Sequence, residues 1–511
     1  MYLTVGRVPT CTGLIRGGAA KSRFGRSASP TQIRSEGMAR GRFAFLKNDE
    51  IRRIHETSLR VLGEVGIVVH SENVGRMLIA AGAEASKSER RILIPDSLVK
   101  ASLMSAPKSV LLAARDKSRD IRIPAGDRIR VANGGEGVYV KDLLTGESRP
   151  PTLRDLQDFT VLAEALPQVD FCWGMVGALD QPTHLKNIVE LKECIEHTTK
   201  HFQGGASSAE EARKMIELAS LIAGSREELS KRPFISAVEC PISPLAFESG
   251  LAEAQVEFAR NGIPVVAMVA SVVGLTSPVT LAGSLAQVNA ENLASLVISQ
   301  VANKGAPWIY SSDSVPGDLS TGSIDYGALE ANLIRAGAGQ MGRSYGLPTM
   351  VAGIGIENTS HLLARVRDGV PYMAMQGLVP SDLGSGLGGI DQAAGASFEQ
   401  LVVDAWVWEV AREFARQFAA DDLAISFETI RDAGLDGNFL SKRHTLTRFK
   451  EELSGTNSQE SSFSGRRSPG KRGDLLRKAK EEVRTILTRP RTPMVTKDES
   501  ARMEEFIRGL A

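Results

Sequence analysis

Residues 264–313 read PVVAMVASVVGLTSPVTLAGSLAQVNAENLASLVISQVANKGAPWIYSSD. The run Val265 to Val269 is continuously apolar, as a strand buried on both faces requires. Thr276 or Ser277 is placed to cap a helix, with Pro278 in its first turn, where a missing N–H is harmless. Leu281, Leu285, Val288, Leu293 and Val297 then recur at roughly helical spacing. Gly305-Ala306-Pro307 turns the chain into a second strand from Trp308, which ends at Asp313. This is a strand–helix–strand unit with a right-handed crossover. Its loop Ser271–Ser277, carrying Gly274, Thr276 and Ser277, opens at a helix N-terminus. Free N–H groups there can hold a carboxylate, and an ordinary capped helix start would read the same way.

The same grammar repeats from Thr152 onward. Candidate strands are Asp170–Val176, Phe202–Gly204, Phe234–Glu239, Val265–Val269, Trp308–Ser311, Met350–Ile354 and Tyr372–Met375, with helices between most of them. Seven or eight units of about 25–40 residues predict an α/β protein, a (β/α)8 barrel over residues 151–453. An open doubly wound sheet is the alternative, but no Gly-x-Gly-x-x-Gly follows the first strand.

Residues 43–150 predict an N-terminal α+β cap: three helices, near 48–65, 72–81 and 95–105, and then short β runs at 110–113, 121–123, 129–131 and 138–140. Residues 1–42 carry eight Arg and Lys against the single acid Glu36. That composition suits a transit peptide or a stretch before a start at Met38, and either way predicts disorder. Residues 454–473 read as a flexible linker. Residues 474–511 predict two amphipathic C-terminal helices that pack back on the barrel.

Composition excludes more than it selects. The formal charge of +1 over 511 residues gives no general case for nucleic acid. No apolar stretch is long enough to span a membrane. Cys11, Cys172, Cys194 and Cys240 form no Cys-x-x-Cys pair and no ligand spacing with histidine, so reduced thiols in a cytoplasmic protein are expected. His197 and His201 are separated by a Thr-Thr-Lys turn and do not make a zinc site. No Gly-x-Ser-x-Gly elbow or Walker A sequence occurs.

In such a barrel the site lies at the C-terminal strand ends. Those ends carry Glu239, Asp313 and Glu357, with Trp173 on an earlier strand. Trp308 and Tyr310 alternate and so share one face of their strand. Aromatic rings and carboxylates around a cavity suit a quaternary ammonium ion. Core packing remains the ordinary role of any single aromatic, and helix capping that of any single acid.

The run Gly274 with Pro278 to Gly283, Asn289 to Glu291 and Gly305 to Pro307 resembles the trimethylamine methyltransferase family. So do Ser243-Pro244-Leu245, Tyr345 to Pro348, Ser397 to Glu399 with Asp404, and Asn438 to Leu440 with His444-Thr445. The resemblance spans residues 43–449. It implies a TIM barrel that passes a methyl group from a methylated amine to Co(I) of a separate corrinoid protein. The corrinoid (cobalamin) would come from that partner, with no cofactor bound tightly, no resident metal and no catalytic acid or base. No pyrrolysine is present, so the chain is most similar to the glycine betaine and quaternary amine branch. From Gly353 to Gly369 the sequence GIGIENTSHLLARVRDG keeps Glu357 but departs from the family pattern, which leaves the substrate open. A homo-oligomer is expected. A folate acceptor, or a non-catalytic betaine-binding barrel, are the alternatives.

Overall fold

The computed structural model describes residues 38–39, 44, 46–86, 91–124, 129–355, 373–412, 418–435, 437–452, 472–491 and 493–510. Eight parallel strands form its central sheet: β1 Arg130–Asn133, β2 Cys172–Trp173, β3 Phe202–Gly204, β4 Ile235–Glu239, β5 Val265–Val269, β6 Trp308–Ser312, β7 Thr349–Gly353 and β8 Leu383–Leu387. They pair in the order β2-β3-β4-β5-β6-β7-β8-β1. A parallel bridge between Ala132 and Phe171 joins β1 to β2 and closes the barrel.

Two strand expectations need correction. The β run at 129–131 belongs to the barrel and not to the cap, because β1 pairs in parallel with β8. The barrel therefore starts before the expected boundary at 150. Residues 373–378 are helical, and Tyr372 lies outside the described residues, so Tyr372–Met375 is not a strand. The strand is β8, Leu-Gly-Ser-Gly-Leu. Its glycines carry no apolar alternation, and its pairing comes from the neighbours β7 and β1.

Strand alternation divides the core in two. Phe171, Val238, Val266, Met268, Ile309 and Met350 fill the barrel interior. A hairpin of Val110–Leu112 and Ile121–Ile123 belongs to the same cluster and plugs the barrel's N-terminal end. There His201 is fully buried, between the Ala113 carbonyl (2.9 Å) and the Ser236 hydroxyl (2.9 Å). The opposite strand face, with Val265, Ala267, Trp308 and Tyr310, packs into the larger cluster under the helices.

The helix Leu281–Ala302 is buried along most of its length and carries polar residues at fixed posts. Asn292 Nδ2 donates to the Ser311 carbonyl at 2.9 Å and Asn292 Oδ1 accepts from the Ser311 N–H at 3.1 Å, locking β6. From the cap, the helix Asn48–Arg60 lies against it, with Ser58 Oγ donating to the Ala286 carbonyl at 2.8 Å. The C-terminal helices Arg472–Leu487 and Lys497–Arg508 bury Ala479, Val483, Ile486 and Met503. Lys480 pairs with Asp142, and Ser500 Oγ donates to Glu196 at 2.5 Å. Residues 1–37 and 453–471, which hold most of the basic segment and of the expected linker, lie outside the described residues. Met38–Ala39 pairs antiparallel with Phe418–Ala419, so the basic segment ends in a short strand where disorder was expected.

Candidate active site at the barrel mouth

The C-terminal ends of β1, β2, β6, β7 and β8 wall a cavity of about 90 Å³. Trp173, Met175, Met268, Asp313, Tyr326 and Arg335 line it, with glycine backbone between them. Two of these glycines are required sterically. A Cβ on Gly135 would stand 2.5 Å from the Trp173 indole, and one on Gly353 would stand 2.7 Å from the Arg335 guanidinium. The wall therefore lets large side chains lie flat against main chain.

Trp173 is held by Asn133 at the end of β1. Asn133 Oδ1 accepts from the Trp173 N–H at 3.0 Å, and Asn133 Nδ2 donates to the Trp173 carbonyl at 2.5 Å. The indole Nε1 is enclosed and has no protein partner. A buried donor left without a partner is costly, so it is a place where a ligand acceptor would be stabilised.

Asp313, at the end of β6, accepts from Arg335 Nη2 at 3.1 Å and from the Tyr326 hydroxyl at 3.0 Å. Arg335 has no solvent exposure, and its guanidinium lies 5.8 Å from the centre of the Tyr326 ring. The Asp313 charge is thus balanced inside the protein and is not left for a cationic ligand. Arg335 and Tyr326 escaped the sequence reading. One signal was available: Arg335 is the lone cation in Ala331–Gly342, a run of mostly small and apolar residues, where a charge needs a buried partner.

Glu239, at the end of β4, is buried, and neither carboxyl oxygen has a partner. Burial, then the nearby Glu136 carboxylate, pushes its carboxyl well above the usual range. Burial therefore favours the protonated form of Glu239 at this strand end. Glu136 is in left-handed conformation, φ 61°, an unusual state for a non-glycine residue and one that clusters at functional sites. Burial above all pushes the Cys240 thiol up to about 12.

Other expected site residues stand elsewhere. Trp308 and Tyr310 point into the helix layer, because alternation along β6 gives the barrel interior to Ile309 and Ser311. Trp308 Nε1 donates to Ser295 Oγ at 3.3 Å. In the loop 271–277 the N–H groups of Gly274, Leu275, Thr276 and Ser277 all donate to carbonyls of the same loop. Thr276 Oγ1 accepts from the Val272 N–H at 2.8 Å, and Ser277 bonds Ser284 at 2.5 Å. The helix starts later, with Thr280 at its N-cap, so the main-chain N–H groups of 274–277 are not free for a carboxylate, and the loop does not line the cavity. Glu357 lies outside the described residues.

Most of the motif residues build structure. Glu291 accepts from Ser243 Oγ (2.6 Å), the Leu245 N–H (2.9 Å) and Gln287 Nε2 (3.0 Å), fixing the loop after β4. Asn289 joins Ser58, Tyr310 and Tyr345. Among the described residues no group of three or more His, Cys, Asp or Glu is arranged to hold a metal ion, and no helix is long and apolar enough to cross a membrane.

A closed (β/α)8 barrel with its aromatic and charged groups gathered at the C-terminal mouth is the architecture of a small-molecule enzyme. The chain belongs to the trimethylamine methyltransferase (MTTB) family, whose model matches residues 16–509. It is 28% identical over 409 residues to trimethylamine methyltransferase MttB of Desulfitobacterium hafniense, covering 80% of this chain and 82% of that protein. It is 27% identical over 420 residues to a glycine betaine methyltransferase from another strain of that species, covering 81% and 86%. Among solved structures, the monomethylamine methyltransferase of Methanosarcina barkeri aligns over 87% of this chain and 89% of its own, at 9% identity and a TM-score of 0.47.

Proposed function

We propose that this methyltransferase moves a methyl group from a quaternary amine to Co(I) of a cognate corrinoid protein. The observation that carries this reading is the mouth cavity, which has an aromatic wall and an internally balanced ion pair. Such a wall suits a cation with no proton to remove. The corrinoid is a co-substrate on the partner, and it supplies the nucleophile. The rim fits the approach of a flat macrocycle, because Gly134, Gly386, Gly389 and Gly395 present main chain there.

The chain's own task is placement. Trp173 and Tyr326 are the aromatic part of the wall that a trimethylammonium group would meet, and Met175 and Met268 supply its apolar part. Desolvating the cation raises its energy relative to the neutral amine that leaves. The partnerless Trp173 Nε1 favours a substrate that also carries an acceptor, and so a betaine over a simple alkylamine. Three free cysteines among the described residues suit a cytoplasmic enzyme.

The test is methyl transfer by the full-length protein to Co(I) cobalamin, with trimethylamine, tetramethylammonium and a series of betaines. Turnover with betaines is expected. Transfer to a folate only, or tight betaine binding without turnover, would replace this reading with one of its alternatives.

A further inference from the structure

Gln203, in the middle of β3, has no exposure to solvent, and neither its amide Nε2 nor its Oε1 has a partner. Its neighbours in the chain fix which way it points. Phe202 packs in the cluster under the helices, so the next side chain turns to the barrel interior. His201, on that same interior face, is already satisfied at the plugged end by Ala113 and Ser236. Gln203 is one pleat repeat nearer the mouth, and its Cα partner across the parallel ladder is Trp173. Partners in such a pair share a face, so the amide and the indole that lines the cavity are neighbours. The interior cluster of Phe171, Val238, Val266, Met268 and Ile309 is apolar and offers the amide no partner.

A buried amide with both ends unpaired is rare, because each unmade hydrogen bond costs stability. Methionine, of similar length and shape, would fill the same space without that cost. On two paired residues, three such atoms come together: Trp173 Nε1, Gln203 Nε2 and Gln203 Oε1.

We propose that Gln203 is a specificity-determining residue of the methyl-donor site, donating together with Trp173 Nε1 to a carboxylate at the far end of a quaternary ammonium substrate. That the ligand is a quaternary amine rests on the methyl-transfer reading. Two neutral donors suit such a zwitterion, because its own cation balances the carboxylate and no further charge needs to be buried. Arg335, the one cation among the described lining residues, is tied to Asp313 and is not available for the carboxylate. Gln203 Oε1 is left for the C–H groups around the ammonium centre, which carry part of its positive charge.

The experiment is titration calorimetry of the full-length protein with glycine betaine and with tetramethylammonium, beside Gln203→Met and Gln203→Glu, with melts of each unliganded protein. The natural protein should prefer the betaine. In Gln203→Met that preference should fall by about 10- to 100-fold while tetramethylammonium affinity holds. The unliganded Met variant should melt no lower than the natural protein, because an unpaired amide is gone. Gln203→Glu keeps the length, loses the amide donor and should lose the betaine too, which decides the matter if the Met variant misfolds. A natural protein without preference for the betaine, a Met variant that melts lower and binds the betaine unchanged, or an equal loss of both ligands would each overturn the proposal. Betaine turnover with Co(I) cobalamin that is indifferent to Gln203→Met would remove Gln203 from the site and leave the reaction standing. Gln203-dependent betaine binding without turnover would remove the reaction and leave the site.

Discussion

The Tyr310 hydroxyl donates to Asn289 Oδ1 at 3.3 Å, on the helix side of the barrel wall. Tyr345 donates to the same oxygen at 3.2 Å, and its hydroxyl meets His55 Nδ1 at 2.8 Å. Cap, barrel strand and barrel helix are therefore tied at one asparagine. Tyr310→Ala should cost about 3–5 kcal/mol of stability. Tyr310→Phe should cost about 1 kcal/mol, the net worth of a hydrogen bond. Neither should change KM in the folded fraction. Thermal melts beside steady-state kinetics check both, and a raised KM with an unchanged melt would return Tyr310 to the site.

Trp173 should behave the other way. It lines the cavity and is partly exposed, so Trp173→Ala should weaken binding of a trimethylammonium ligand by about 0.5–2 kcal/mol, roughly 2- to 30-fold. Its melting temperature should fall less than that of Tyr310→Ala. Titration calorimetry with a betaine gives the answer, and unchanged affinity would place the cation elsewhere.

Glu239 sets a pH dependence. Its folded carboxyl titrates well above the ordinary 4.5, so the native state holds a proton that the unfolded chain releases. Its contribution to stability is complete below about pH 4.5 and falls away as pH rises toward the folded value. Glu239→Gln keeps the neutral shape and cannot ionise. The variant should melt higher than the natural protein at pH 8 and gain little at pH 4. Equal gains at both values would show that the carboxyl does not titrate as described.

His201 works with the opposite sign. Burial lowers its imidazole to about 4, against hydrogen bonds that raise it, from an ordinary 6.5. The native state keeps it neutral, so its contribution is present above pH 6.5 and is lost as pH falls toward 4. That loss amounts to roughly 3 kcal/mol. Denaturant melts from pH 7 to 4 should show it, and His201→Gln should flatten that part of the acid limb. An unchanged slope would mean that other groups carry the acid sensitivity.

The sequence alone determined the architecture. Val265–Val269, the spaced leucines after it and Trp308 define one strand–helix–strand unit, and repetition of that unit leaves few folds other than a barrel. Periodicity carries this because hydrophobic burial is local to each element. It read Asp313 and Trp173 as site residues, and both line the cavity. It missed β8, because two glycines erase the alternation and only neighbouring strands define it.

Tertiary structure decided which side of each strand faces the site. Trp308 and Tyr310 share a face by period two, but the period does not say whether that face looks into the barrel or toward the helices. The register of closure decides it, and here it turns both rings outward. The pairing of Asp313 with Arg335 is likewise invisible in sequence, because the two come together only when β6 and the helix Leu329–Ser344 pack. The loop 271–277 looked like an anion site because capping residues are local. Its donors were spent inside the loop, and that accounting exists only once the backbone is folded.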